Sequence, residues 1–113
     1  MPLRGDVWVV DLDPTRGHEQ AKSRPCIVVS DDRFNRSASG LVVIVPLTSV
    51  DRGIPGHVRV APEDGGVRQE SWAMVDQVRT VSRERLVGQP WGRVSSTVMT
   101  AIEDRLRLLL GLA

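Results

Sequence analysis

Lysine is nearly missing from this chain: Lys22 is the only one, and the other 14 basic side chains are arginine. Cysteine is as scarce. Cys26 stands alone, which excludes an internal disulfide and fits a reducing cytoplasm. Its place in an apolar run reads as a buried, inert thiol rather than a nucleophile. The only histidines, His18 and His57, and that one cysteine lack ligand spacing, so neither a metal nor a cofactor is expected. No apolar run approaches the length of a membrane span, and the start, MPLRGDVW, has no signal-peptide core. The expected setting is cytoplasmic, with no membrane partner. An excess of one charge is absent too: a net charge of +1 does not advertise a nucleic-acid binder. The arginine bias has two readings, genomic base composition or guanidinium forks that clamp phosphate bidentately.

What is present is a chain of 113 residues, 41% hydrophobic and 26% charged, expected to form one globular domain over 1–113. Runs rich in β-branched residues predict strands near 6–12, 25–31, 41–48, 56–61, 71–80 and 87–94. Breaker-rich separators such as DPTRG, SASG, DRGIPG, PEDGG and GQPWG stand between them. DDRFNR fits one short helical turn. Near the C-terminus the period changes: Val98, Met99, Ile102, Leu106, Leu109 and Leu110 fall at helical spacing. Ser95 or Ser96 can cap that helix and Gly111 can end it. The expected architecture is mostly β, a small, strongly bent sheet or barrel with a terminal helix.

Three polar clusters could carry chemistry. The first is HEQAKSRP, residues 18 to 25. Pro25 biases Arg24 toward extended geometry, placing its guanidinium at the last loop position before a buried strand. The loop ahead of it, Asp13 to Ser23, is long for a hairpin, and long polar loops on rigid β scaffolds tend to be functional. Arg24 alone fits a surface salt bridge equally well, and Glu19 and Lys22 alone read as solvated loop charges. The second cluster is VPLTSVDRG, where the hydroxyls of Thr48 and Ser49 either donate to an anion or satisfy local backbone. The third is SWAMVDQVRT, in which Asp76 and Gln77 interrupt an apolar strand. A buried polar pair there is a structural hydrogen-bond node or part of a binding floor. His57, beside the strand VRV, reads as structural or exposed.

Taken in order, RGDVWVVDLDPTRGHEQAKSRPCIVVS, VVIVPLTS, IPGHVRV, DQVRTVSRERL and the terminal helix resemble the MazF/PemK family of toxin endoribonucleases over nearly the whole chain. The resemblance implies a compact SH3-like β-barrel with a C-terminal helix. It implies a homodimer that cuts single-stranded RNA, usually mRNA, at short motifs without a metal, leaving 2′,3′-cyclic phosphate and 5′-hydroxyl ends. It also implies a cognate antitoxin whose tail lies over the RNA groove. The family's catalytic arginine and threonine fall on Arg24 and Thr48, and its loop glutamate on Glu19. Arg24 then clamps the phosphate, Thr48 adds a donor, and Glu19 acts as base with His18 in reserve. Arg16, His18, Gln20, Lys22, Ser49, Arg52 and Gln77 are candidate RNA contacts. His18, Lys22, Ser23 and Trp72 depart from the family pattern, which bears on the RNA sequence recognised. Two alternatives are a gyrase-poisoning toxin on the same barrel, which would not need Arg24 and Thr48 together, and a non-catalytic RNA-binding β module.

Overall fold

The computed structural model describes residues 1–14, 16–19 and 22–113. β1 (Asp6–Asp11), β2 (Ser23–Val28) and β3 (Leu41–Thr48) form an antiparallel meander, with Val7 opposite Ile27 and Cys26 opposite Pro46. These strands are rich in valine and isoleucine, which suit a pleated, packed surface. Both of their faces are buried. Val7, Ile27 and Val45 pack with Val58, Val60 and Ile102 on one side, while Trp8, Cys26, Val28 and Ile44 form a second cluster on the other. Burial on two faces explains why these segments read as near-continuous apolar runs rather than strict alternations.

So small a chain buries both faces because β3 changes partner along its length. Leu41–Ile44 pair with β6 (Arg79–Ser82), whereas Leu47 and Thr48 pair with β5 (Ser71–Met74). Pro46 lies between the two registers, where its missing N–H costs the ladder little. The single strand expected over 71–80 is accordingly two strands, separated by a 3-10 turn at Val75–Gln77. One straight strand could not follow β3 through its bend, and the polar Asp76–Gln77 pair occupies the break.

β4 (His57–Val60) pairs with β5, and β7 (Leu86–Arg93) pairs with β1, giving the order β4-β5-β3-β2-β1-β7 with β6 on β3. The molecule is mainly β with a C-terminal helix, as expected. It stays an open, strongly bent sheet rather than a closed barrel, because no ladder joins β4 to β7 among the described residues.

The short helical turn after β2 is α1 (Asp32–Asn35), with the Asp31 side chain accepting from the Arg33 N–H. The terminal helix is α2 (Ser96–Leu110). The Ser95 hydroxyl accepts from the Val98 N–H at 3.3 Å, and Gly111 ends the helix in the left-handed region at φ 70°. Val98 and Ile102 enter the core, with Met99 and Leu106 packed at its border. The apolar stripe then runs past the core: Leu109 and Leu110 are 49% and 59% exposed, where the spacing placed them on the packed face. None of the described helices is long and apolar enough to cross a membrane.

Candidate functional site

Arg24 lies inside β2, opposite Val10, rather than at the last loop position. Its backbone is therefore held by β1. Its Nη1 donates to the Leu47 carbonyl on β3 at 3.2 Å. Its Nε is buried with no hydrogen-bond partner among the described residues. A buried donor left unpaired costs about 1–3 kcal/mol, so it marks a place where an acceptor would bind.

Thr48, the last residue of β3, is buried at 7% exposure. Its Oγ1 accepts from the Val50 N–H at 3.2 Å, which leaves the hydroxyl proton free to donate elsewhere. Arg24, Thr48, Ser49 and Arg52 line one open cavity of about 490 Å³, which Arg68 and Trp91 also line. Three of its lining residues are arginines and none is an acid. The side-chain charge around this concavity is of one sign, which concentrates anions there.

The other sequence-predicted residues stand elsewhere. Arg16 and Glu19 close on each other within the loop: the Arg16 N–H donates to Glu19 Oε1 at 2.9 Å, and the Glu19 N–H to the Arg16 carbonyl at 3.2 Å. Lys22 closes the loop's base through its backbone. It takes a φ of 64°, donates its N–H to Asp13 Oδ1 at 2.9 Å, and accepts from the Leu12 N–H at 3.0 Å. Gln77 reaches the loop from beneath, its Nε2 3.5 Å from the His18 carbonyl. Arg16, His18, Glu19, Lys22 and Gln77 are not among the cavity's lining residues. Gln20 lies outside the described residues.

The Asp76–Gln77 pair acts as a hydrogen-bond node rather than a cavity floor. Asp76 Oδ1 sits 2.9 Å from Nε2 of His57, whose side chain is only 3% exposed. That partnership is invisible in sequence because it depends on the β4–β5 ladder, which sets His57 opposite Met74, beside the turn that carries Asp76. Cys26 is fully buried, and burial pushes its thiol up to about 12, against the opposing pull of the nearby Arg24 and Arg79 guanidinium groups. It has no thiolate chemistry at neutral pH.

The arginine bias resolves by position. Arg79 donates to the Leu12 carbonyl, Arg83 to the Asn35 carbonyl, Arg85 to the Asp11 carbonyl and Arg105 to the Pro55 carbonyl, while Arg4 pairs with Glu103 and Arg59 with Glu70. These forks hold the fold. Arg52 and Arg68 have no side-chain partner among the described residues, and both face the cavity. Sequence reasoning passed over Arg68 and Trp91. The only signal lay in the two glycines of PEDGG, which pack against the backbone of Trp91 and Gly92.

A bent β domain whose cavity is lined by a part-buried arginine with an unpaired Nε and by a threonine with a free hydroxyl proton offers donors suited to an anion. The chain belongs to the PemK-like, MazF-like toxins of type II toxin–antitoxin systems, whose family model matches residues 3–110. It is 38% identical to endoribonuclease MazF9 of Mycobacterium tuberculosis over 99% of this chain and 98% of that protein. It is 37% identical to endoribonuclease PemK of Escherichia coli over 95% of this chain and 80% of that one. In three dimensions it resembles crystalline MazF of Deinococcus radiodurans, with a TM-score of 0.85, 28% identity, and coverage of 98% and 97% of the two chains. It also resembles a mycobacterial endoribonuclease solved in complex with its cognate antitoxin, with a TM-score of 0.76, 29% identity, and coverage of 99% and 95%.

Proposed function

We propose that this chain is the toxin of a toxin–antitoxin pair, an endoribonuclease that cuts single-stranded RNA at a short motif without a metal. The observation that carries the reading is the unpaired buried Nε of Arg24 beside the Thr48 hydroxyl, in a cavity lined by arginines and no acid. The reaction is attack of a ribose 2′-oxygen on its own 3′-phosphorus. A bond forms between that oxygen and phosphorus, the bond to the 5′-oxygen breaks, and a 2′,3′-cyclic phosphate and a 5′-hydroxyl result. The nucleophile is already tethered, so no protein nucleophile is needed.

The protein supplies charge stabilisation and two proton transfers. Arg24 donates through Nε and its free Nη to the non-bridging oxygens, and Thr48 supplies a further donor. Glu19 accepts the 2′-proton, with His18 as the alternative base. The leaving 5′-oxygen takes its proton from Arg24 or from water. Arg16, Lys22 and Arg52 contact flanking phosphates, and Gln20, Ser49 and Gln77 contact the nucleotides around the cut. An antitoxin tail rich in acids would compete for the same arginines, and toxin and target would meet in the cytoplasm.

The test is to incubate the purified chain with a long mixed-sequence RNA in excess EDTA and map every new end. Recurrent cuts at one motif with cyclic-phosphate ends are expected. Thr48→Val should lose about 100-fold in rate, and Glu19→Gln should lose about 100-fold or more as a general base is removed. Intact RNA would overturn the reading, and an unaltered single-turnover rate in Glu19→Gln would overturn that residue's role.

We also propose that the toxin is a homodimer. In support, Leu108, Leu109 and Pro55 border an open apolar hollow, with Leu110, Leu112 and Ile54 exposed in the same two segments. So many exposed large apolar side chains in two neighbouring segments suit an interface. Sedimentation should give a dimer mass that Leu109→Glu weakens at least tenfold in dissociation constant; a wild-type monomer at micromolar concentration would refute it.

A further inference from the structure

We propose that Trp91 and Arg68 form a nucleobase subsite beside the reacting phosphate, where one unpaired base of the RNA stacks on the Trp91 indole and helps position the strand for the cut. This rests on the RNA-cleaving reading above and extends it to a surface outside the catalytic residues.

Trp91 lies on the edge strand β7 and is 46% exposed, whereas Trp8 is buried in the core. Its side chain borders the Arg24–Thr48 cavity and also a neighbouring hollow of about 440 Å³, and Arg68 borders both. A ligand bound at Arg24 therefore meets this pair on leaving the catalytic cavity. Arg68 has no side-chain partner among the described residues and can face a phosphate or a base edge.

The backbone that carries the indole is held by a close approach of two chain segments. Gly65 and Gly66 lie against Trp91 and Gly92. A Cβ on Gly66 would sit 2.5 Å from the Trp91 carbonyl oxygen, and one on Gly92 would sit 3.1 Å from the Gly65 carbonyl carbon. Trp91 thus presents a large, half-exposed aromatic side chain from a tightly packed backbone. Single-stranded RNA offers the complementary partner, because every unstacked base has a π-face and aromatic platforms bind it with little need for hydrogen bonds. A stack of this kind contributes about 10- to 100-fold in affinity. A base beside Arg68 also places its own phosphate near that guanidinium.

The decisive experiment crosses Trp91 variants with abasic RNA. An oligonucleotide carrying the wild-type cleavage motif is made in a series, each member with one abasic nucleoside at a successive position around the cut. Single-turnover cleavage and affinity are measured for the full chain and for Trp91→Ala, Trp91→Leu and Trp91→Phe, with folding of each checked by thermal unfolding. One abasic position should cost the wild type about 10- to 100-fold and cost Trp91→Ala almost nothing further. Trp91→Phe should recover most of the loss on intact RNA, and Trp91→Leu should not. Arg68→Ala should weaken all substrates alike and flatten the salt dependence. Equal abasic penalties in wild type and Trp91→Ala at every position, or Leu performing as well as Phe, would overturn the subsite. If the wild type leaves every RNA intact, the nuclease reading fails. Quenching of tryptophan fluorescence by RNA then decides the subsite alone: quenching lost in Trp91→Phe supports it, and none overturns it.

Discussion

Replacing Arg24 with methionine is expected to remove RNA cleavage, by at least about 1000-fold, while leaving the domain as stable as before or more so. The activity loss follows from what the side chain supplies. Each preorganised donor to developing charge is worth about 100- to 1000-fold, and Arg24 carries two in a fixed fork with a full positive charge. Lysine should restore little, since a point charge on a flexible stem cannot reproduce two parallel donors.

The stability expectation separates a functional arginine from a structural one. Methionine loses the Nη1 bond to the Leu47 carbonyl, worth about 1 kcal/mol. It also relieves a buried Nε without a partner among the described residues, worth about 1–3 kcal/mol, and a cation close enough to Arg79 that both act on the Cys26 thiol. The balance is neutral to favourable, as at sites where function is bought with stability. Thermal unfolding of Arg24→Met beside the cleavage assay checks both halves. A loss of about 3 kcal/mol with cleavage retained would make Arg24 a structural fork like Arg79.

The largest stability effect is expected at Gly66. It holds a φ of +82°, and a Cβ there would meet the Trp91 carbonyl oxygen at 2.5 Å and its carbon at 2.8 Å. Neither contact is a flexible side-chain end that could swing aside. Gly66→Ala combines left-handed backbone strain with a backbone clash and should cost about 3 kcal/mol. For a domain of this size that lowers the melting temperature by about 10 °C. Gly53→Ala is the control: its φ is +64°, but nothing lies within 4 Å of the Cβ position, so only the strain of about 1 kcal/mol applies. Equal losses in the two variants would show that the close packing of the Gly65–Gly66 turn on β7 contributes nothing. Because that packing also holds Trp91, surviving Gly66→Ala protein should show the weaker substrate binding of Trp91→Ala.

The elements that could be read from sequence are those whose cause is local. The β-branched runs of β1 to β3 need only their own composition to be extended, and Ser95 and Gly111 bound α2 through hydrogen bonds within a turn or so of chain. Arg24 and Thr48 could be singled out because the motif around them is specific, and the two stand in one cavity.

Other features depended on pairing across long separations. The strand expected over 71–80 breaks at Val75–Gln77 because β3 exchanges β6 for β5 there. Leu109 and Leu110 keep the helical period of Ile102 and Leu106 yet face outward, since the period carries no information on where the sheet beneath them stops. His57 meets Asp76, and Arg68 meets Trp91, only through strand pairing and through the absence of a Cβ at two glycines.

Sequence alone therefore determined most of the extended and helical segments, because backbone preference and capping act over a few residues, and its motif singled out Arg24 and Thr48, which the fold brings to one cavity. Tertiary structure decided which arginines are spent on carbonyls and which face the cavity, and what else lines it. A buried donor's partners are set by strand register, and register is a property of the packed whole.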